Sequence, residues 1–180
     1  MNALEAADPH TRSDARWVAD AALLVGRELK LDRVSLKRLE LGALLCDIGE
    51  LGVPSAILGK PGPLTAAERR IVQEHAALGD QILQPIARLS EVRPIVRACH
   101  ERWDGQGYPD GTPGVEIPLE ARIVFVCDTY RAMVSDRPYR ARLLPEEALR
   151  QIGEAAGTEF DPRVVAAFAL LHRDGAIDPS

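Results

Sequence analysis

Apolar residues recur three and four positions apart along most of this chain, and period-two alternation never persists for more than a few residues. In "DARWVADAALLVGREL", Val18, Ala21, Ala22, Val25 and Leu29 fall on one helical face. Leu36, Leu39, Leu44 and Leu45 continue the pattern in a second helix, which Ser35 is placed to cap and which runs to about Asp47. "TAAE" at 65–68 has the form of a capping box, so a third helix starts there and runs to about Leu83. A fourth covers about 91–101, and Pro118 suits the first turn of a fifth that ends near Val134. Pro145-Glu146-Glu147 and Asp161-Pro162 open two more, with acids placed to complement the helix dipole. The pattern predicts an all-α bundle of about seven helices.

Glycine and proline cluster in two segments, 51–64 and 103–117. Loops of that length inside a compact domain are usually functional or disordered. No repeat or shift in composition marks a boundary, so residues 1–180 read as a single domain, with 1–12 as a disordered N-terminal tail. The chain is 46% hydrophobic and 27% charged, an ordinary globular balance. Its net charge of -5 argues against binding a nucleic-acid polymer by bulk attraction. No apolar run approaches the ~20 residues that span a membrane, and the polar start lacks a signal-peptide core. The expected location is the cytoplasm, where the three cysteines serve as thiols or ligands rather than disulfides.

Four helical segments place polar, metal-capable residues in apolar company. Cys46-Asp47 closes the second helix, His75 lies along the third, Cys99-His100 closes the fourth, and Asp128 follows "IVFVC" in the fifth. A buried aspartate is costly unless paired or bound to a cation, and ligands converging from facing helices are how bundles build metal sites. Each residue also has a plain structural role open to it. Cysteines pack well in cores, Asp47 can cap a turn, and Asp128 can pair with Arg122 or Arg131.

"CHERWDGQGYPDG", followed by "IPLEARIVFVCDTYRAMVSDRPYR" and "AGTEFDPRVV", resembles the HD-GYP group of HD-domain phosphohydrolases, which hydrolyse cyclic di-GMP. The resemblance covers about residues 14–171 and implies an all-α, HD-type bundle with a long GYP loop. It implies metal ligands at Asp47, His75, His100 and Asp128. It also implies substrate contacts at Gly107, Tyr108, Pro109, Arg137 and Arg140, since arginine forks suit phosphate. Trp103 and Tyr108 are candidates for stacking or interface contacts, or simply pin the loop to the bundle.

The chain departs from the family pattern at several positions. The family's His-Asp-x-Gly-Lys reads Cys46-Asp47-Ile48-Gly49-Glu50, its paired histidines read Cys99-His100, a ligand histidine falls on Asp14, and a glutamate falls on His10. His10, Asp14, Cys46 and Cys99 can still coordinate a cation, and thiols favour softer ions. Glu50 reverses the sign of the family's catalytic lysine beside Asp47. At ~4 Å and an effective dielectric near 20, a unit charge is worth about 4 kcal/mol before relaxation. The resemblance therefore implies a degenerate signalling domain that binds a nucleotide, or a signalling protein through the GYP loop, with weak or no hydrolysis. One alternative is an active cyclic di-GMP phosphodiesterase with a Cys-containing metal site. Another is a zinc or redox sensor. The implied cofactor is one to three divalent ions (zinc, iron or manganese), or none if the altered positions have lost it.

Overall fold

Helix after helix forms where the periodicity places it. The computed structural model describes residues 9–136 and 141–178, and no strand forms among them. Helix α1 is Pro9–Glu28, α2 Arg33–Leu45, α3 Ser55–Leu58, α4 Ala66–Gln73, α5 His75–Leu83, α6 Arg93–Ala98, α7 Leu119–Val134, α8 Pro145–Glu154 and α9 Pro162–Arg173. Helix α1 starts at Pro9, inside the segment read as a tail.

The bundle is built around α7. Ala121, Ile123, Val124, Val126, Cys127, Tyr130 and Val134 are all buried, so this helix is apolar around most of its circumference. It packs against α1, α2, α6, α8 and α9. Val18, Val25, Leu39, Ile95, Ile152, Val164 and Phe168 from those neighbours complete one continuous core.

The helix ends differ from the sequence reading in ways the hydrogen bonds explain. Ser35 does not cap α2. Asp32 does, accepting from the Ser35 amide at 2.7 Å. The capping box at Thr65 and Glu68 forms in both directions, at 3.2 and 2.7 Å. The third expected helix is interrupted at Glu74, giving α4 and α5, next to the point where the His75 ring takes the Val72 carbonyl at 2.7 Å. The segment 51–64 is not wholly irregular, because α3 forms within it.

A buried ion pair closes the far end. Asp161 caps α9 through the Arg163 amide at 2.9 Å and takes the Arg122 guanidinium of α7 at 2.5 Å. The same guanidinium lies 5.7 Å from the centre of the Trp103 ring. Burial alone would raise the Asp161 carboxyl, but the Arg163 amide and guanidinium, with Arg122, outweigh it and hold the group below its usual range.

Asp161→Asn keeps the cap and the volume but leaves Arg122 a buried, uncompensated charge. It should cost about 3 kcal/mol at neutral pH. Because the folded carboxyl titrates below its unfolded value, its contribution is whole above about pH 4 and falls away in acid. Urea midpoints should therefore differ by a constant amount from neutral pH down to about pH 5 and converge below about pH 4. A gap that widened in acid would refute this account.

Candidate metal centre

The chain leaves α2 at Cys46 and turns sharply, so that Asp47 opens the 3-10 turn Ile48–Gly52. That turn lies directly against α5. A Cβ at Gly49 would sit 1.9 Å from the His75 carbonyl oxygen and 2.6 Å from the Gly79 nitrogen. Only glycine allows the two backbones this close, and the approach sets the Asp47 carboxylate beside the His75 ring. Helix α6 then delivers His100 one residue past its Cys99 cap.

Oδ1 of Asp47 lies 3.7 Å from Nε2 of His75 and 3.7 Å from Nε2 of His100. All three atoms fall within 4.8 Å of one another. These separations are long for hydrogen bonds and close to the roughly 3–3.5 Å between ligand atoms that each stand ~2.1 Å from a shared cation. Both Nε2 atoms are buried and have no hydrogen-bond partner. Nδ1 of His75 faces a carbonyl, which can only accept, so Nδ1 carries the proton and Nε2 presents its lone pair to the cluster. Two imidazole nitrogens and a carboxylate fit a divalent ion such as zinc, iron or manganese.

Burial and the neighbouring His100 push the His75 ring below the usual histidine range. Burial opposes the proton on His100 as well, but Cys99 and Asp47 outweigh it and hold that ring well above the range. Asp47 is raised by burial and pulled down further by His100 and His75, ending below its ordinary value.

Aromatic rings frame the cluster. Tyr108 stacks on His100 with centroids 5.1 Å apart and planes at 16°, His75 meets His100 edge-on at 4.7 Å, and Phe125 closes the remaining side at 6.4 Å. Gly107 makes the stack possible, because a Cβ there would lie 2.3 Å from the Arg102 nitrogen. Pro109 follows, joined to Tyr108 by a cis peptide bond.

The other residues singled out by the sequence take different positions. The Cys46 thiol donates to the Ala43 carbonyl at 3.3 Å and the Cys99 thiol to the Val96 carbonyl at 3.1 Å. Burial pushes the Cys46 thiol well up, and Asp47, Cys99 and Asp128 add to the rise. Neither thiol belongs to the group of converging ligand atoms, and neither does Asp128, although Asp128 is near enough to act on Cys46 and Tyr108. Asp14 pairs with Arg131 of α7 at 2.7 Å, and Arg131 also lies over the Trp17 ring. Glu50 sits half-buried one 3-10 turn after Asp47. Arg137 and Arg140 lie outside the described residues, and so does the His10 side chain. Sequence reading missed Glu101, Phe125 and the tight approach at Gly49. The only signal for these was their position beside the conspicuous residues.

The family model described as HD domain matches residues 1–164. A 3'3'-cGAMP-specific phosphodiesterase of Vibrio cholerae is 41% identical over 167 residues, which is 91% of this chain and 36% of that protein. A cyclic di-GMP phosphodiesterase of Thermotoga maritima is 40% identical over 154 residues, 83% of this chain and 41% of that protein. The chain thus spans less than half the length of these relatives. Among solved structures, a cyclic GMP-AMP specific phosphodiesterase of Vibrio cholerae superposes with a TM-score of 0.71 at 22% identity, over 96% of this chain and 46% of that one. An HDG"Y"P protein from Bdellovibrio bacteriovorus superposes with a TM-score of 0.74 at 16% identity, over 90% and 52%. These two structures share the all-helical fold described above, and together with the family match and the Gly107-Tyr108-Pro109 loop they lead to one assignment: the chain belongs to the HD-domain family, in its HD-GYP group.

Proposed function

We propose that this domain holds a divalent cation on Asp47, His75 and His100 and takes a cyclic dinucleotide against it, hydrolysing the phosphodiester slowly. The observation that supports the reading best is the pair of buried, partnerless Nε2 atoms aimed at one carboxylate oxygen. Buried nitrogens in that state cost about 1–3 kcal/mol each, and a cation removes the cost. The named activities of the relatives, phosphodiesterases of cyclic di-GMP and 3'3'-cGAMP, give the substrate class.

When bound, the ion acidifies its water and offsets phosphate charge. The chain's own residues orient that chemistry. His75, fixed through Nδ1, and His100, held under Tyr108, keep their Nε2 atoms convergent. Tyr108 and Phe125 narrow the approach and exclude water from one side of the cluster. The Tyr108 hydroxyl is raised by burial to about 12, so it stays protonated and can donate a hydrogen bond.

Slow turnover follows from what the remaining positions do. Asp14 is engaged by Arg131, the two thiols are engaged by helix carbonyls, and the half-buried Glu50, one 3-10 turn from Asp47, is an acid where the family pattern has a lysine. A second reading, full phosphodiesterase activity, draws on the intact triad and the identity to active relatives.

Two measurements separate these readings and test the ligand set. Metal per chain, determined after purification without added metal, should fall to background in His75→Ala and His100→Ala. It should stay at the wild-type value in the Cys46→Ala, Cys99→Ala double variant, which should lose only about 1 kcal/mol per site to small cavities. Metal lost from the cysteine variant instead would make the thiols ligands. With manganese or iron supplied, wild-type hydrolysis of cyclic di-GMP and 3'3'-cGAMP should be slow, and Glu50→Lys should raise it roughly tenfold or more. Ordinary enzyme turnover in the wild type, unchanged by Glu50→Lys, would establish the second reading.

A further inference from the structure

Glu101 is 2% exposed, an acid in the interior next to His100, with the Arg97 guanidinium near enough to feel its charge. Among the described residues no arginine or lysine side chain donates a hydrogen bond to it. It is held instead by three successive backbone amides of its own loop. Oε1 accepts from Asp110 at 2.7 Å and from Gly111 at 3.1 Å, and Oε2 accepts from Thr112 at 3.1 Å. Consecutive amides turned inward in this way form a concave anion site, here filled by the protein itself. Charge-assisted bonds of this kind are about twice as strong as neutral ones.

The loop wound around this carboxylate also bears the residue that covers His100. Between Glu101 and the three amides the chain goes out and returns. Gly107 packs on the Glu101 and Arg102 backbone, the Tyr108 amide donates to the His100 carbonyl at 3.2 Å, and the Tyr108 ring lies flat on the His100 ring. A second clamp acts from outside, where Arg97 of α6 forks onto Asp110 with two bonds of 2.7 Å.

From this we infer that Glu101 is a positioning residue for His100: its carboxylate gathers the amides of residues 110–112, which seats Tyr108 on the imidazole and fixes the direction of Nε2. The inference rests on the reading of His100 as a ligand. It adds a residue that touches neither metal nor substrate. The side chains of Asp161 and Glu101 are both buried acids that anchor backbone amides, but only Glu101 is linked to the cluster.

The test uses the whole chain and compares Glu101→Gln with Asp161→Asn. Glutamine keeps the volume but turns an NH2 group toward at least one of the three amides. The first readout is the imidazole and tyrosine ring resonances of the metal-free protein. Glu101→Gln should shift His100 and Tyr108 and leave His172, which bonds Tyr130 at 2.9 Å, in place. Asp161→Asn should leave His100 and Tyr108 unchanged. The second readout is Mn2+ affinity by chelator competition, expected to weaken ~10–100-fold in Glu101→Gln and to hold in Asp161→Asn. Unmoved His100 signals in Glu101→Gln, or equal shifts in both variants, would overturn the inference. Should Glu101→Gln fail to fold, Glu101→Asp, with the carboxylate drawn back by one methylene, is measured in the same way and should show the same displaced pair. Collapse of both acid variants would mean that Glu101 holds the bundle and not the ring, and would also overturn it. A wild type that binds no Mn2+ would end the proposed function, while the resonances would still decide the role of Glu101.

Discussion

The structure depends on a cluster that does not satisfy itself, with both histidine Nε2 atoms buried and Asp47 half-buried beside them. Asp47, His75 and His100 bring a carboxylate and two imidazole nitrogens together with the nitrogens unpartnered. Such a cluster persists only if the surrounding packing over-determines it. Three backbone devices do so here. Gly49 lets the 3-10 turn press on α5, the Val72 carbonyl fixes the His75 ring, and the GYP loop seats Tyr108 on His100.

These devices are rigid because α7 is. A helix buried around most of its circumference cannot rotate or slide without opening cavities, and its neighbours α1, α2 and α6 all meet it. The ends of α2 and α6, where Cys46 and Cys99 cap and Asp47 and His100 follow, are thereby held in register with each other. The cysteines fit this role. Each thiol bonds a carbonyl of its own helix and fills core volume immediately behind a member of the cluster.

Electrostatics divides the molecule. Near the cluster negative charge gathers, with the altered Glu50 one turn from Asp47 and the family aspartate Asp128 acting on Cys46. Elsewhere the acids are neutralised in pairs, Asp14 by Arg131 and Asp161 by Arg122. Two imidazole nitrogens and a carboxylate still converge there, and Glu50 stands where the family pattern has a lysine.

The sequence by itself determined the helices, because 3.6-residue periodicity and capping are local properties of the chain. The capping box at Thr65 and Glu68 and the openings at Pro145 and Asp161-Pro162 stand where they were read. It also singled out Asp47, His75 and His100, since polar residues at the ends of apolar helical runs are visible without coordinates. It gave no means of choosing among eight metal-capable positions, because Cys46, Cys99 and Asp14 have the same chemistry as ligands whether or not they converge. Only the tertiary structure shows which of them converge, with the two thiols bonded to helix carbonyls and Asp14 paired with Arg131, a residue 117 positions away. Glu101 was illegible for the same reason: its three partners lie nine to eleven residues on, in a loop with no periodicity. Their convergence on one carboxylate is a property of how that loop closes, which no local pattern encodes.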